Sequence, residues 1–265
     1  MEKAYISLIT NESYLKGVLT LAESVKKTKT NIPFYVLVPE DISEAVLEKL
    51  NRNCIEYIKF DNSSTEQVET NHYWKDTIAK LTVFNLTQFD KIVFLDADAI
   101  LFRNIDHLFD KPHLSAVAAG KELHPDWVNM NSGIMVIEPD ATCYKDLVSL
   151  VPQARKECIE KNLPFGDQDV ISKYYPDWYK NEELHLPSEY NVLLGYGGIL
   201  EKSNAIRGFS DVYFYHFTGK QKPWGTFADR VIILLKILRR STKWSVDFKA
   251  YREYLKMLKN CDISD

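Results

Sequence analysis

KIVFLDADAI, residues 91–100, runs through four apolar residues from Ile92 to Leu95 and then meets Asp96, Ala97 and Asp98. A short unbroken apolar run of this kind reads as a strand buried on both faces. In an extended segment, side chains at i and i+2 share a face, so Asp96 and Asp98 direct two carboxylates to one point while Ala97 faces elsewhere. Ligands of open α/β sheets bind beyond the carboxyl ends of the strands, where this pair falls. Two converging anions there need a cation, and all-oxygen donors, or oxygen with one imidazole, suit Mg2+ or Mn2+ rather than zinc or copper. The competing role is structural, because acids near turns commonly cap them or pair with a neighbouring cation such as Arg103.

Outward from this strand, apolar runs alternate with helical periodicity. AYISLIT (4–10) reads as a strand, followed by Leu15, Val18, Leu19, Ala22 and Val25 at helical spacing. PFYVLVP (33–39) is a second strand, Ser43 opens a helix over AVLEKL, and CIEYIKF (54–60) is a third strand. The polar residues 61–74 read as an exposed loop, and KDTIAKLTVFNLTQF (75–89) as a helix leading into the strand that ends in Asp96. Such alternation predicts the α/β class, a wound, mostly parallel sheet with helices on both faces. The second half carries shorter signals: LSAVAAG (114–120), NSGIMVIEP (131–139), a helix from Tyr144 to Lys161, a turn at PFGDQDV (164–170) and a strand at VYFYHF (212–217). No linker interrupts residues 1–224, which read as one domain, with 225–265 as a helical extension packed on it or on a partner.

The 265 residues suffice to bury a substantial core, and a net charge of -4 gives no electrostatic reason to expect nucleic acid. The start, Met1-Glu2-Lys3 before a strand, lacks the features of a secretory signal, and VIILL (231–235) is far short of a membrane span. Cys54, Cys143, Cys158 and Cys261 form no CxxC pair and read as reduced thiols of a cytoplasmic protein.

Three further stretches carry chemistry, each with a structural alternative. VYFYHFTGKQKPW (212–224) brings a strand to His216 and then to Gly219, Lys220, Lys222 and Trp224. An imidazole and two ammonium groups around a glycine could complete a metal site and neutralise a diphosphate, or could simply be a backbone-bonded His and solvated lysines. Asn131 and Ser132 precede a strand and suit sugar or ribose hydroxyls, or a plain turn. Asp167, Gln168 and Asp169 open a helix, where capping competes with sugar recognition.

The order and spacing of these pieces resemble glycosyltransferase family 8, retaining enzymes of the GT-A fold that include glycogenin. SLITNESYLKG (7–17), Lys80, FLDADAILFRNIDHLF (94–109), NSGIMV, GDQDV and HFTGKQKPW carry the resemblance, from about Tyr5 to Trp224. It implies a UDP-sugar hexosyltransferase, with UDP-glucose or UDP-galactose as donor and a carbohydrate, protein or lipid-linked acceptor. It also implies Mn2+, or Mg2+ in its stead, held by Asp96, Asp98 and His216, with Gly219 and Lys222 on the diphosphate. Leu8, Thr10, Asn11 and Tyr14 would contact base and ribose, and Lys80, Asp96, Ala97 and Asp98 would line the donor site. Asn131, Ser132, Asp167 and Gln168 would hold the sugar, and Asp167, Gln168 and Lys80 are the expected catalytic set. Two positions depart from the glycogenin pattern: Pro164 stands where an additional Asp is expected, and Tyr196 follows the pair Tyr190-Asn191 at a different offset from the self-glycosylated tyrosine. A self-glucosylating primer and a non-catalytic nucleotide-sugar-binding protein are the alternatives. A sugar-phosphate nucleotidyltransferase is disfavoured, because SLITNESY lacks a Gly-rich basic phosphate loop.

Beyond Trp224, ADRVIILLKILRR and FKAYREYLKML read as two helices. The apolar residues of the first cover more than one face, so it is expected to pack on the domain or in a homodimer, with contact of residues 228–240 with a membrane surface as the alternative.

Overall fold

The computed structural model describes residues 1–61, 79–118, 120, 122, 124, 126–240 and 245–261. Strands β1 (Lys3–Leu8), β2 (Phe34–Pro39) and β3 (Glu56–Phe60) alternate with helices α1 (Leu15–Lys27) and α2 (Glu44–Arg52), and the strands pair in parallel. The chain then crosses to the other side of β1 and lays down β4 (Lys91–Leu95), again parallel, with Tyr5 opposite Val93. Ile92 to Leu95 are all fully buried, as the unbroken apolar run requires. Strand order therefore reverses between β1 and β4, and beyond the carboxyl ends of two such strands an open sheet leaves a crevice.

A short strand β5 (Ala99–Leu101) follows the turn at Ala97 and Asp98, and β6 (Ala116–Ala118), β7 (Met130–Ile137) and β8 (His185–Leu186) extend the sheet to the order β3-β2-β1-β4-β7-β6-β8. The expected mixed α/β architecture, mostly parallel and flanked by helices, is what the chain adopts. β7 runs antiparallel to β4, with Leu95 opposite Ile134, so it begins beside the place where β4 ends. Asn131 and Ser132 consequently lie inside β7 rather than before it, because pairing of Met130 with Ala118 starts the ladder earlier. β9 (Val192–Leu193) and β10 (Phe214–His216) form a second, three-stranded sheet with β5, in the order β5-β10-β9.

Helix α3 (Ala141–Glu160) starts three residues ahead of Tyr144, because the Asp140 side chain accepts the Cys143 amide at 2.6 Å and caps it. Helices α4 (Asp167–Tyr174), α5 (Gly197–Lys202), α6 (Phe227–Arg240) and α7 (Val246–Leu258) follow. The helix expected over 75–89 differs: its described part is a 3-10 segment, Lys80–Asn85, closed by a Leu86 amide donating to the Val83 carbonyl. Residues 62–78, with the polar loop and Ile78, lie outside the described residues. All four cysteines are free thiols, and no helix among the described residues is long and apolar enough to cross a membrane.

Helix α7 is tied in by one fully buried carboxylate. Asp247 accepts the amides of Gly195 at 2.9 Å and of Gly197 and Gly198 at 3.3 Å, and the Tyr215 hydroxyl at 2.7 Å. These donors compensate the desolvation of the charge and lock α7 to the start of α5 and to β10. Asp247→Ala strands all of them, and we expect a loss on the order of 3 kcal/mol in urea unfolding. A change under about 0.5 kcal/mol, within the range of ordinary surface substitutions, would show that the clamp carries no such weight.

Candidate active site

The crevice at the β1/β4 switch is a cleft of about 420 Å3. β4 halts at Leu95, and the chain turns through Asp96 and Asp98 straight into β5. Because β5 is antiparallel to β10 with Ala99 opposite His216, and the Phe217 amide donates to the Asp98 carbonyl at 2.8 Å, the imidazole is delivered to the two acids. His216 Nε2 lies 2.9 Å from Asp98 Oδ1 and 3.5 Å from Asp96 Oδ2. One ligand atom from each of the three residues falls within 4.8 Å of the others.

The ring is aimed by packing. A Cβ placed on Gly133 would meet His216 Nδ1 at 2.4 Å, so β7 can pass the imidazole only with a glycine there. Gly133 also accepts the Asp96 amide at 2.9 Å, which pins the turn of the two acids to β7. Two hard carboxylates and one borderline imidazole, rigidly convergent, fit Mn2+ or Mg2+. Arg103 does not take the competing role, since its guanidinium lies 4.3 Å from the Tyr213 ring and donates to the Ser210 carbonyl.

Two lysines balance the buried acids. Lys80 Nζ lies 2.9 Å from Asp96 Oδ1 and 3.2 Å from Asp167 Oδ2, and donates to Ser132 Oγ at 3.1 Å. Burial disfavours its charge, yet Asp167 and Asp96 outweigh it and hold the ammonium above its usual range. Lys222 contacts Asp98 Oδ2 directly. Burial would raise the Asp98 carboxyl, but Lys222 and His216 outweigh it and hold that carboxyl far below the carboxylate range. Asp96 goes the other way, because its burial exceeds the pull of Lys80 and His216 and raises it. The pair thus splits, as adjacent carboxylates do when their counter-ions differ.

On the opposite wall, Gln168 Oε1 accepts the Ser132 amide at 2.9 Å, leaving its NH2 as the donating end. Of the acids that open α4, Asp169 takes the capping role, accepting the Gly166 amide at 2.8 Å, and it lines the cleft together with Asp167 and Gln168. Leu8, Thr10 and Tyr14 line it from the end of β1, and Ala97, Asn131, Thr218 and Gly219 complete the contributions from the other strand ends. Gly219 sits at φ +100, a conformation costly for any residue with a side chain. Trp224 Nε1 donates to the Ser13 carbonyl at 2.8 Å and its ring meets Tyr14 edge-on, tying the lysine loop to the N-terminal motif.

Of the expected site residues, Asn11 and Lys220 are missing from the cleft wall, and Lys220 is exposed to solvent. Asn11 instead caps the 3-10 turn Glu12–Tyr14, its carbonyl oxygen accepting the Ser13 amide at 3.0 Å, and its NH2 donates to Thr10 Oγ1. Pro164 lines the cleft together with Phe165 and Gly166. Sequence reading missed Thr218, and also Asn191, a buried amide whose Nδ2 donates to Asn131 Oδ1 at 2.7 Å from sixty residues away.

Residues 5–228 match the family model described as Glycosyl transferase family 8. The chain is 30% identical over 231 residues to glycogenin-1 of Homo sapiens, which covers 84% of this chain and 62% of that one. It is 32% identical over 241 residues to UDP-glucuronate:xylan alpha-glucuronosyltransferase 2 of Arabidopsis thaliana, covering 86% and 36%. The chain spans less than two thirds of the human and mouse glycogenins it matches. Among solved structures, the galactosyltransferase LgtC in complex with donor and acceptor sugar analogues shares the fold, with a TM-score of 0.67 over 99% of this chain and 97% of that one at 16% identity.

Removing Lys80 deprives buried Asp167 and partly buried Asp96 of the cation they share. In metal-free protein, Lys80→Met is expected to destabilise by roughly 3–5 kcal/mol at pH 7. Asp96, already raised, then rises further above its unfolded value of about 3.9, so the penalty is full above the folded pKa and fades as pH falls toward the unfolded one. Urea melts of both proteins at pH 7 and pH 4.5 read this directly, and a penalty that grows on acidification would contradict the assignment.

Proposed function

Because the chain belongs to glycosyltransferase family 8, we propose that it moves a hexose from UDP-glucose or UDP-galactose to an acceptor hydroxyl with retention of anomeric configuration. The observation that carries this reading is the convergence of Asp96, Asp98 and His216 beside Lys222 in the switch-point cleft. Those three residues would hold Mn2+, with Mg2+ as substitute. What the ion supplies when bound is neutralisation of charge on the diphosphate leaving group.

The chain's own groups divide the remaining work. Leu8, Thr10 and Tyr14 hold the base and ribose at the end of β1. Lys222, kept protonated by Asp98, adds positive charge where UDP departs, and a buried site makes that charge more effective than it is in water. The backbone at Gly219 lets amide groups approach the diphosphate closely. Asn131, Ser132, Asp167 and Gln168 bond the sugar hydroxyls, and Asn191 holds Asn131 in place for that role. Lys80 orients Asp167 and, through it, the face of the anomeric carbon at which a retaining reaction takes place.

A second reading has one observation in its favour: Tyr196 and Asn131 line a common recess of about 20 Å3, next to the cleft. A tyrosine so close to the donor site is a candidate acceptor of its own chain's sugar.

Incubation with Mn2+ and each UDP-sugar, reading UDP release and intact mass in the same tubes, tests both readings. We expect release with UDP-glucose or UDP-galactose, its loss on chelation, and its restoration by added metal. Asp98→Asn should lower turnover by about a thousandfold or more while leaving the thermal transition and circular dichroism of a folded protein. Undiminished turnover in that variant removes the metal role, and no release with any UDP-sugar leaves a binding protein of the same fold. A mass gain in hexose units that disappears in Tyr196→Phe identifies the self-glycosylating enzyme, whereas a gain that persists excludes that tyrosine.

A further inference from the structure

Helix α6 carries an apolar face that no described residue covers. Its start is set by a capping box in which Thr226 donates its amide to Asp229 Oδ2 at 2.9 Å and Thr226 Oγ1 accepts the Asp229 amide at 3.2 Å. Ile233 and Ile237 are fully buried in the cluster that contains Trp224, Val246 and Tyr254, so one strip of the helix is packed on the molecule. The large residues elsewhere on it are not. Phe227 is 83% exposed, Leu235 59% and Leu238 51%, with Val231 and Ile232 also exposed. At 100° per residue, positions 227, 231, 235 and 238 share one face, turned away from the buried strip.

The charges bordering this face have one sign. Arg230 lies at one edge and Arg239 at the other, both exposed, and Lys236 lies further round, bonded to Gln221 at 2.8 Å. The helix has a single acid, Asp229, and that one is engaged in the cap. These cations stand on a chain whose net charge is -4, so their clustering is local.

Two occupants could cover such a face, a second copy of the chain or a lipid surface. The five exposed apolar side chains present on the order of 500 Å2, the size of the largest apolar patch on a typical monomer, which is often a functional surface. A two-fold contact through this face would set arginines against arginines at its rim. An anionic bilayer removes that objection, because acyl chains accept the apolar stripe while headgroups neutralise the flanking cations. We propose that the exposed face of α6, centred on Phe227, Val231, Leu235 and Leu238 and bordered by Arg230 and Arg239, docks this protein on anionic lipid surfaces. The loop of Gly219 to Trp224 runs directly into α6, and Lys236 Nζ is the nearest atom to a Cβ built on Gly219, at 3.9 Å. The inference is independent of the proposed chemistry.

Flotation of the full chain with vesicles of phosphatidylcholine alone, and with a third of phosphatidylglycerol added, tests it. We expect flotation with the anionic vesicles and at least about tenfold weaker binding to the neutral ones. Leu235→Glu/Leu238→Glu should abolish flotation, and Arg230→Glu/Arg239→Glu should weaken it by about tenfold or more. All four positions are exposed, and unchanged thermal transitions will confirm that the variants fold. Absence of flotation with anionic vesicles, or flotation equal in the leucine variant, overturns the proposal. A concentration-dependent dimer in sedimentation that Leu235→Glu/Leu238→Glu converts to monomer, without vesicle binding, assigns the face to a second copy instead.

Discussion

Two carboxylates, buried Asp98 and partly buried Asp96, stand at the end of β4, and the rest of the site is arranged around the need to compensate them. An unpaired charge in such surroundings costs several kcal/mol, so cations must arrive from elsewhere in the chain. They arrive from two directions. Lys80 comes from the 3-10 segment before β4 and reaches Asp96, and Lys222 comes from the loop after β10 and reaches Asp98. His216 lies between them, held by the pairing of β5 with β10. A divalent ion would enter a centre whose geometry is already enforced by the surrounding sheets.

That division gives the two acids different characters. Asp98 faces an ammonium and an imidazole and remains a firm anion, whereas Asp96 shares Lys80 with Asp167 and is raised by its burial. Lys80 thereby links the end of β4 to the N-terminus of α4, and Ser132 joins the same network through Lys80 and Gln168. The cleft's metal side and its sugar side are therefore one hydrogen-bonded assembly. A change at any member is felt by the others through charge, since their separations are near 3 Å and the medium is poorly screening.

The C-terminal helices contribute at one remove. Trp224 locks the lysine loop to the N-terminal motif through Ser13 and Tyr14, and Asp247 on α7 fixes both β10 and the start of α5. His216 is next to Tyr215, which Asp247 holds, so the carboxylate of the last helix steadies a strand that carries a candidate metal ligand. Helix α6 spends only the strip around Ile233 and Ile237 on this packing. Its remaining apolar surface is what an internal role leaves unexplained.

Local pattern decided much of this. The buried run before Asp96, the i and i+2 placement of the acids, the alternating strands and helices of the first sixty residues and the helical periodicity after Trp224 depend on neighbours in the chain, and they were legible. The motif order further marked Asn131, Ser132, Asp167, Gln168, His216 and Lys222 as site residues without saying how they meet. Tertiary structure decided the rest. The three-residue strand β5 is too short to show a period, and its register with β10, which puts Ala99 opposite His216, joins segments more than a hundred residues apart. Antiparallel entry of β7 put Asn131 and Ser132 inside a strand, local hydrogen bonding took Asn11 off the cleft wall, and Asn191 gained its role only by reaching Asn131. Gly133 looks like any glycine until the imidazole is laid against it. Residue type and spacing determine which groups are offered, but distance between groups remote in the chain is set by strand register and packing, which no local pattern encodes.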